Sequence, residues 1–197
     1  PMRNLKRALS LGLTAAMISG LMVMGSSAVS YPDSDQIQNQ TAVEILGEIG
    51  VMVGDDNGNF NPTQDVTRAE MAVIITRILY GNDLNVDQFK GMNLFTDVPA
   101  WAEPYVAACY TNGITAGTSA TTFSPNATLN RQQMATFLRR TLQYVEKNSG
   151  YSYTSYTSKL ASYTDNALVQ SWAKEAMAFM NALDLVKGTT ATTLNPN

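Results

Sequence analysis

Residues 54–62 read GDDNGNFNP, and residues 117–125, which lie 63 positions later, read GTSATTFSP. A glycine, a phenylalanine and a proline therefore recur at the same places in the two segments. The residues that follow also align without a gap, because VTRAEMA at 66–72 matches LNRQQMA at 129–135. Both matched stretches continue into a segment with helical apolar periodicity, so the similarity extends through a complete structural unit.

A third copy of this unit lies a further 71 positions along the chain. Gly188, Leu194 and Pro196 repeat the glycine, the apolar residue and the proline of the second copy, and Trp172 matches Trp101. Self-similarity at a nearly fixed period is typical of a repeat protein. The sequence is therefore interpreted as three tandem copies of one unit.

Each copy is predicted to form two helices joined by a loop. In the first copy, apolar residues recur at helical spacing over two stretches, which end at Gly50 and near Gly81. The loop between them contains Asn57-Gly58 and Asn61-Pro62, which favour turns. One copy of about 50 residues buries too little apolar surface to be stable alone, so the copies are expected to share a core. These patterns predict helix-loop-helix repeats.

The repeat pattern also sets the predicted domain boundaries. Repeat 1 is assigned to residues 31–80, repeat 2 to 95–144 and repeat 3, which is incomplete, to 163–197. The polar segments 81–94 and 145–162 are interpreted as linkers. Three tyrosines of the second linker are an alternative sugar-stacking surface: Tyr151, Tyr153 and Tyr156.

The N-terminal 28 residues are predicted to be a signal peptide. Three basic residues precede the mildly apolar run 8–24, and the small residues 25–28 follow it, as a cleavage site requires. The alternative is a transmembrane anchor, although the run of 17 residues is shorter than the roughly 20 that a span needs. Cleavage would leave no stable membrane insertion.

Composition excludes several classes of function. Without the three basic residues of the signal, ten Lys and Arg stand against 16 Asp and Glu, a net charge of −6. This charge argues against a nucleic-acid partner. The chain has no His, and Cys109 aligns with the apolar Leu46 and Met180, so it is predicted to be a core residue. No enzyme chemistry and no cofactor are predicted.

The motifs of repeat 2 together resemble the S-layer homology family. They follow one another in this order: FTD at 95–97, WA at 101–102, NGI at 112–114, Gly117, FSP at 123–125 and Arg131. In repeat 1, TRAE at 67–70 has the form of that family's best-known motif. The resemblance covers residues 31–197, nearly all of the predicted mature chain.

This resemblance implies an all-α fold, a three-pronged pseudo-trimer of helix-loop-helix repeats with ligand grooves between neighbouring repeats. It also implies an exported protein of the bacterial cell wall or S-layer, held noncovalently on an anionic, often pyruvylated secondary cell-wall polysaccharide attached to peptidoglycan. Two alternatives remain open. One is the anchor of a wall-active enzyme whose catalytic domain lies downstream, and the other is a helical repeat for protein interaction.

The chain departs from the family pattern in three places. Residues 130–133 read NRQQ, which keeps the arginine and loses the acid, and Gln38 stands opposite Trp101. The third copy stops at Asn197, although its own arginine is expected near position 202. One groove is therefore not expected to form in this chain.

The residues at the predicted starts of the second helices divide into capping and binding candidates. Thr67 with Glu70, and Asn130 with Gln133, have the spacing of capping boxes, which satisfy backbone donors at a helix start. These four residues are predicted to be mainly structural.

Arg68 and Arg131 are the main candidates for ligand binding. Both fall at the first helical position, where a cation is unfavourable by roughly 0.3 to 1 kcal/mol. A guanidinium beside a helix N-terminus is suited to a carboxylate, such as the pyruvyl group that the resemblance implies. Asp33, Asp97 or Asp165 from a neighbouring repeat could pair with these arginines instead, and both interpretations hold if the aspartate orients the arginine.

The remaining candidates come from the loops and the first helices. Gly54 and Gly117, with their counterpart Gly188, are predicted to need a positive φ or a close backbone approach, which a sugar could also use. Trp101 and Trp172 are either sugar-stacking or core residues.

A calcium site is the alternative interpretation of the acidic loop 55–59. The sequence departs from the EF-hand pattern, because Phe60 stands at the sixth position and no Glu occupies the twelfth. No metal site is therefore predicted.

Overall fold

The computed structural model describes residues 29–81, 86–150 and 160–197. The predicted signal peptide and the three tyrosines of the second linker lie outside these ranges. All regular structure in the described ranges is helical, with five α-helices, short 3-10 turns and no strand. The prediction of an all-α repeat fold is confirmed, whereas the pseudo-trimer arrangement stays a prediction.

The first helices of the three repeats begin and end at equivalent residues, and the second helices of repeats 1 and 2 begin at equivalent residues. The first helices are α1 (Gln40–Glu48), α3 (Glu103–Thr111) and α5 (Lys174–Ala182), and the second helices of repeats 1 and 2 are α2 (Arg68–Tyr80) and α4 (Arg131–Ser149). The three first helices have nine residues each and keep the spacings of 63 and 71 found in the sequence. The internal repeat is therefore a repeat of secondary structure as well as of sequence.

The chain forms two compact units that do not follow the repeat boundaries. One contains the described residues up to Gln64 together with the described part of 76–87, and the other contains 65–75 and the described part of 88–197. Helix α2 begins in the second unit and ends in the first. Its start belongs to the second unit because its first turn is hydrogen-bonded to the loop of repeat 2.

Each unit has an apolar core. In the first unit, buried Tyr31, Ile37 and Val43 pack with Val29 and Phe60. In the second unit, α5 packs against α4 around a cluster that includes Ala135, Met177, Phe179, Met180 and Leu194. Cys109 is 1% exposed, and its Sγ lies 3.6 Å from the carbonyl oxygen of Ala72.

The segments predicted as linkers carry local structure where they are described. Helix α4 continues to Ser149, and Gly150 closes it in the left-handed conformation at φ 68°. The N–H groups of Gly91 and Asn93 donate to the Glu103 carboxylate at 3.1 and 3.0 Å. None of the helices in the described ranges has the length and apolar character that crossing a bilayer requires.

Candidate anion-binding site

The two second helices both start with a set of capping hydrogen bonds. The carboxylate of Glu70 accepts from the N–H and the hydroxyl of Thr67 at 2.7 and 2.8 Å. At α4, Asn130 and Gln133 exchange reciprocal bonds of 3.0 Å between side chain and backbone. These contacts satisfy backbone donors at the helix starts. They also fix the backbone at the first residue of each helix, which is Arg68 in α2 and Arg131 in α4.

Arg68, the first residue of α2, directs its guanidinium into the loop of repeat 2. Its Nε donates to the carbonyl oxygen of Phe123 and its Nη2 to that of Ala116, both at 2.8 Å. The guanidinium carbon lies 4.5 Å from the ring centre of Phe123 and 5.8 Å from that of Phe137. The side chain is 8% exposed. Burial lowers the pKa of Arg68 and the charge of Asp97 opposes this, but the group stays charged at neutral pH.

Arg131 occupies the equivalent position at the start of α4. Its Nη2 donates to the carbonyl oxygen of Lys187 at 2.6 Å, and Lys187 is the counterpart of Ala116 in repeat 3. Its Nε is buried and has no hydrogen-bond acceptor among the residues that the structure describes. The second junction between repeats thus keeps one of the two arginine contacts of the first.

Backbone contacts join each second helix to the loop of the next repeat. The Ala69 N–H donates to the carbonyl of Pro125, and the Gln132 N–H donates to the carbonyl of Pro196, both at 3.0 Å. Each arginine therefore lies where one repeat meets the next.

Gln132, which is 1% exposed, makes two further contacts that sequence reasoning missed. Its Oε1 accepts from the Gln170 N–H at 2.9 Å, and its Nε2 donates to Oδ1 of Asn197 at 2.6 Å. The only signal in the sequence is a polar residue where repeat 1 has Ala69.

One aspartate in each repeat closes the loop onto the turn before the first helix. The carboxylate of Asp97 accepts from the N–H groups of Phe123 and Ser124, both at 2.8 Å. Asp33 and Asp165 make the equivalent pairs of bonds at 2.7 to 2.9 Å. In the described residues, no salt bridge joins any of these aspartates to Arg68 or Arg131. Asp97 is linked to Arg68 through the Phe123–Ser124 peptide group, whose N–H donates to Asp97 and whose carbonyl accepts from Arg68.

Each of these aspartates accepts from two consecutive N–H groups, and the second of the two donor residues has a positive φ. The values are 57° at Asn61, 57° at Ser124 and 52° at Asn195. Residues other than glycine rarely adopt this conformation, so the two hydrogen bonds hold the loop in a strained local shape. The positive φ at Ser124 is the least expected of the three, because Asn is enriched in this conformation and Ser is not.

The loop glycines are needed because carbonyl oxygens of their own loop and an aromatic ring leave no room for a β-carbon. A β-carbon at Gly117 would overlap the carbonyl oxygen of Ser119 and would lie 2.6 Å from the Phe95 ring and 2.7 Å from the carbonyl oxygen of Thr122. A β-carbon at Gly188 would likewise overlap the Tyr163 ring and carbonyl oxygens of its own loop. Gly54 also lies against a ring, that of Tyr31, and has a positive φ of 78°. The close neighbours at all three positions belong to the same repeat.

The two tryptophans lie at the surface. Trp101 is 57% exposed and Trp172 is 51% exposed, although the alanine after each of them is fully buried. Gln38, which takes this place in repeat 1, is also exposed. Trp172 lies two residues after Gln170, whose N–H donates to the side chain of Gln132.

In the acidic loop of repeat 1, the carboxylate of Asp55 is hydrogen-bonded to groups of the same loop. Asp55 accepts from the N–H groups of Asn57 and Asn59 at 2.9 and 2.8 Å, and from the amide of Asn61 at 2.9 Å. In repeats 2 and 3, the hydroxyls of Ser119 and Thr190 take the same role. The described residues contain no group of three carboxylate, His or Cys side chains that could hold a metal ion.

Comparison with known protein families finds the S-layer homology domain three times, at residues 30–72, 94–135 and 162–197. These matches include both arginine helix starts and all three aspartates. The chain belongs to the S-layer homology family. S-layer homology regions are anchoring modules of bacterial surface proteins, and this membership places the chain at the cell wall or S-layer.

Three relatives match nearly the whole S-layer homology region. A surface-layer 125 kDa protein of Lysinibacillus sphaericus is 35% identical over 93% of this chain. An endoglucanase of Bacillus sp. (strain KSM-635) is 29% identical over 95%, and an S-layer protein of Bacillus thuringiensis subsp. finitimus is 27% identical over 97%. The matches cover 15, 20 and 22% of those proteins' lengths.

The lowered pKa values of the repeat aspartates make the free energy of unfolding depend on pH in acidic solution. Hydrogen bonds from Phe60 lower the pKa of Asp33, and those from Leu194 lower that of Asp165, below the ordinary 3.8. For Asp97, desolvation raises the pKa, but bonds from Phe123 and Ser124 and the charge of Arg68 outweigh it.

Because these pKa values are lowered in the folded state, the stabilisation is complete above the unfolded value and is lost as pH falls through the folded values. We expect the free energy of unfolding in urea to be level above pH 5 and to fall steadily below about pH 4. Asp97→Asn should reduce this acid dependence, whereas Asp35→Asn, on the exposed turn, should leave it unchanged. Equal acid dependence in wild type and Asp97→Asn would contradict this role.

Proposed function

We propose that this S-layer homology region anchors an exported protein noncovalently by binding an anionic, pyruvylated secondary cell-wall polysaccharide attached to peptidoglycan. One observation carries the proposal. Arg68 and Arg131 stand at positive helix ends, and within the described residues their hydrogen-bond partners are neutral carbonyls, not carboxylates. Neither arginine forms a salt bridge within the described residues, and a positive charge at this end of a helix dipole favours an anion from outside.

The other candidate residues support such a site in different ways. Trp101 and Trp172 offer exposed rings of the kind that stack on sugars. The aspartates and glycines shape the loops that receive the arginines, so they act by positioning the loop backbone. Contacts in more than one repeat would increase retention on a polymer, because the second binding event becomes intramolecular.

The test is a pull-down of the 197-residue chain on purified wall sacculi, before and after acid extraction of the polysaccharide. We expect wild type to bind intact sacculi and to lose binding on extracted ones. Arg131→Ala should weaken binding about tenfold or more, as the loss of a charge-assisted contact predicts. Arg140→Ala removes the same charge from the same helix and serves as the matched control.

Binding that survives both the extraction and Arg131→Ala would reject the proposed ligand. If the chain then bound a protein of the wall instead, the S-layer homology repeats would serve as a protein-interaction surface. Circular dichroism of each variant shows whether the fold is retained.

A second candidate function is favoured by the endoglucanase of Bacillus sp. (strain KSM-635), of which this chain matches 20%. On this proposal the region anchors a wall-active enzyme whose catalytic domain lies in a longer protein. Recovering the full protein from cells with an antibody against this region, and assaying it on wall glycan and cellulose, tests this. Absence of hydrolysis by the intact protein would favour a structural S-layer role.

A further inference from the structure

Two asparagines of this chain are followed by glycine, at Asn57-Gly58 and Asn112-Gly113. This dipeptide is chemically labile, because glycine has no β-carbon and its backbone nitrogen can closely approach the side-chain carbonyl of the preceding asparagine. An added β-carbon at either glycine would have no neighbour within 4 Å, so both glycines are equally open. The two sites share their local chemistry, and the fold is what distinguishes them.

Asn57 lies in the loop of repeat 1, where both it and Gly58 are exposed. Its backbone N–H donates to Oδ1 of Asp55 at 2.9 Å, but its side-chain amide makes no hydrogen bond within the described residues. The Gly58 N–H donates to the carbonyl oxygen of Asp55 at 2.9 Å. Freeing the Gly58 nitrogen therefore means breaking this turn bond in an exposed loop, an opening that requires little free energy.

Asn112, in contrast, is held at the end of α3. Its Nδ2 donates to the carbonyl oxygen of Ala108 at 2.8 Å, and the Gly113 N–H donates to that of Tyr110 at 3.0 Å. The next residue, Ile114, belongs to the core and is 1% exposed. Opening this turn would unwind the helix end and expose Ile114, so it requires more free energy than opening the loop of repeat 1.

We propose that Asn57 is a site of spontaneous deamidation, whereas the fold protects Asn112. The Gly58 nitrogen forms a bond to Cγ of Asn57, the Cγ–Nδ2 bond breaks, and the amide group leaves as ammonia with the proton of the Gly58 nitrogen. Water then adds to one of the two carbonyls of the resulting succinimide. Addition at one carbonyl gives aspartate, and addition at the other gives isoaspartate, whose backbone is longer by one methylene group.

This modification is confined to repeat 1 among the three loops. The equivalents of Asn57 are Ala120 in repeat 2 and Ala191 in repeat 3, which have no side-chain amide. Because the reaction needs only water, the converted fraction of repeat 1 increases with the age of the protein. The proposal does not depend on what the S-layer homology region binds.

The conversion is expected to loosen the loop of repeat 1. In the isoaspartate product, the extra methylene group lies inside the turn that the hydrogen bond from Gly58 to Asp55 closes. Both products also add a carboxylate next to Asp55 and Asp56, where like charges repel one another. These changes act against the bonds that the N–H groups of Asn57 and Asn59 donate to the Asp55 carboxylate.

The experiment incubates the folded 197-residue chain in warm, mildly alkaline buffer and follows both asparagines by peptide mapping with tandem mass spectrometry. We expect Asn57 to convert at least about tenfold faster than Asn112, since a tenfold ratio requires a difference of only about 1.4 kcal/mol in opening free energy. The chain unfolded in guanidinium chloride is the control, and there the two rates should become similar.

Three outcomes would overturn the proposal. They are similar rates at the two asparagines in the folded chain, no conversion of Asn57 when the unfolded chain converts, and a ratio that persists in the unfolded chain, which would assign the difference to local sequence.

The effect on the loop is measured by backbone amide exchange at Asn59, which should be faster in the aged chain than in the fresh chain. Asn57→Ala copies repeats 2 and 3 at this position and should show the same Asn59 exchange before and after ageing. Unchanged exchange at Asn59 in extensively converted wild type would contradict the loosening of the loop.

Discussion

Arg68→Ala is expected to lower the free energy of unfolding by about 4 kcal/mol, the largest effect of a single substitution that we predict. The variant removes two hydrogen bonds from a charged donor and the contact with the Phe123 ring. It also leaves two carbonyl oxygens without their donor, one of them in a buried bond. Urea denaturation followed by tryptophan fluorescence measures the loss.

Two control variants separate this contact from a general effect of charge. Arg68→Lys keeps the charge but cannot reach both carbonyls with a planar fork, so we expect about half of the loss. Arg77→Ala, later on the same helix, removes a single long bond of 3.5 Å to Val51 and should cost less than about 1 kcal/mol. Similar losses for Arg68→Ala and Arg77→Ala would show that Arg68 is not a joint between repeats.

The second large effect is expected from Gly117→Ala, at about 3 kcal/mol of unfolding free energy. The new β-carbon would overlap the backbone carbonyl oxygen of Ser119 and would lie 2.6 Å from the Phe95 ring, well inside van der Waals contact. The ring cannot move away easily, because it packs edge-on against Tyr110 at 5.1 Å and against Phe123 at 5.5 Å. Thermal and urea unfolding of the variant measure the effect.

Gly113→Ala is the matched control in the same repeat. Gly113 has a φ of 71°, and an added β-carbon would have no neighbour within 4 Å. Gly113→Ala should therefore lower the free energy of unfolding by only about 1 kcal/mol, the cost of placing alanine in a left-handed backbone conformation. If Gly113→Ala were as destabilising as Gly117→Ala, backbone conformation rather than the aromatic ring would explain the loop glycines.

The sequence predicted the secondary structure well because the same pattern occurs more than once. The offsets of 63 and 71 that align the loops also align the ends of the first helices residue by residue. A capping pair such as Asn130 and Gln133 is a local signal, since both residues lie within one helical turn. Such short-range features need no knowledge of how the chain folds back on itself.

The partners of the candidate site residues could not be predicted in this way. The sequence left open whether the arginines bind an external anion or pair directly with aspartates, whereas Arg68 binds carbonyls 48 and 55 residues away. Backbone carbonyls occur at every residue, so no pattern of side chains identifies the ones that an arginine will meet. The exposure of the tryptophans depended in the same way on which faces the neighbouring helices cover.

The sequence by itself determined the repeat, the helical fold, the family and the residues that start each second helix, because these depend on local periodicity and short motifs. Only the tertiary structure decided which loop each arginine enters and that the aspartates hold backbone N–H groups. Those features depend on contacts between residues far apart in the chain, where burial and the geometry of a few hydrogen bonds select one partner among many chemically identical groups.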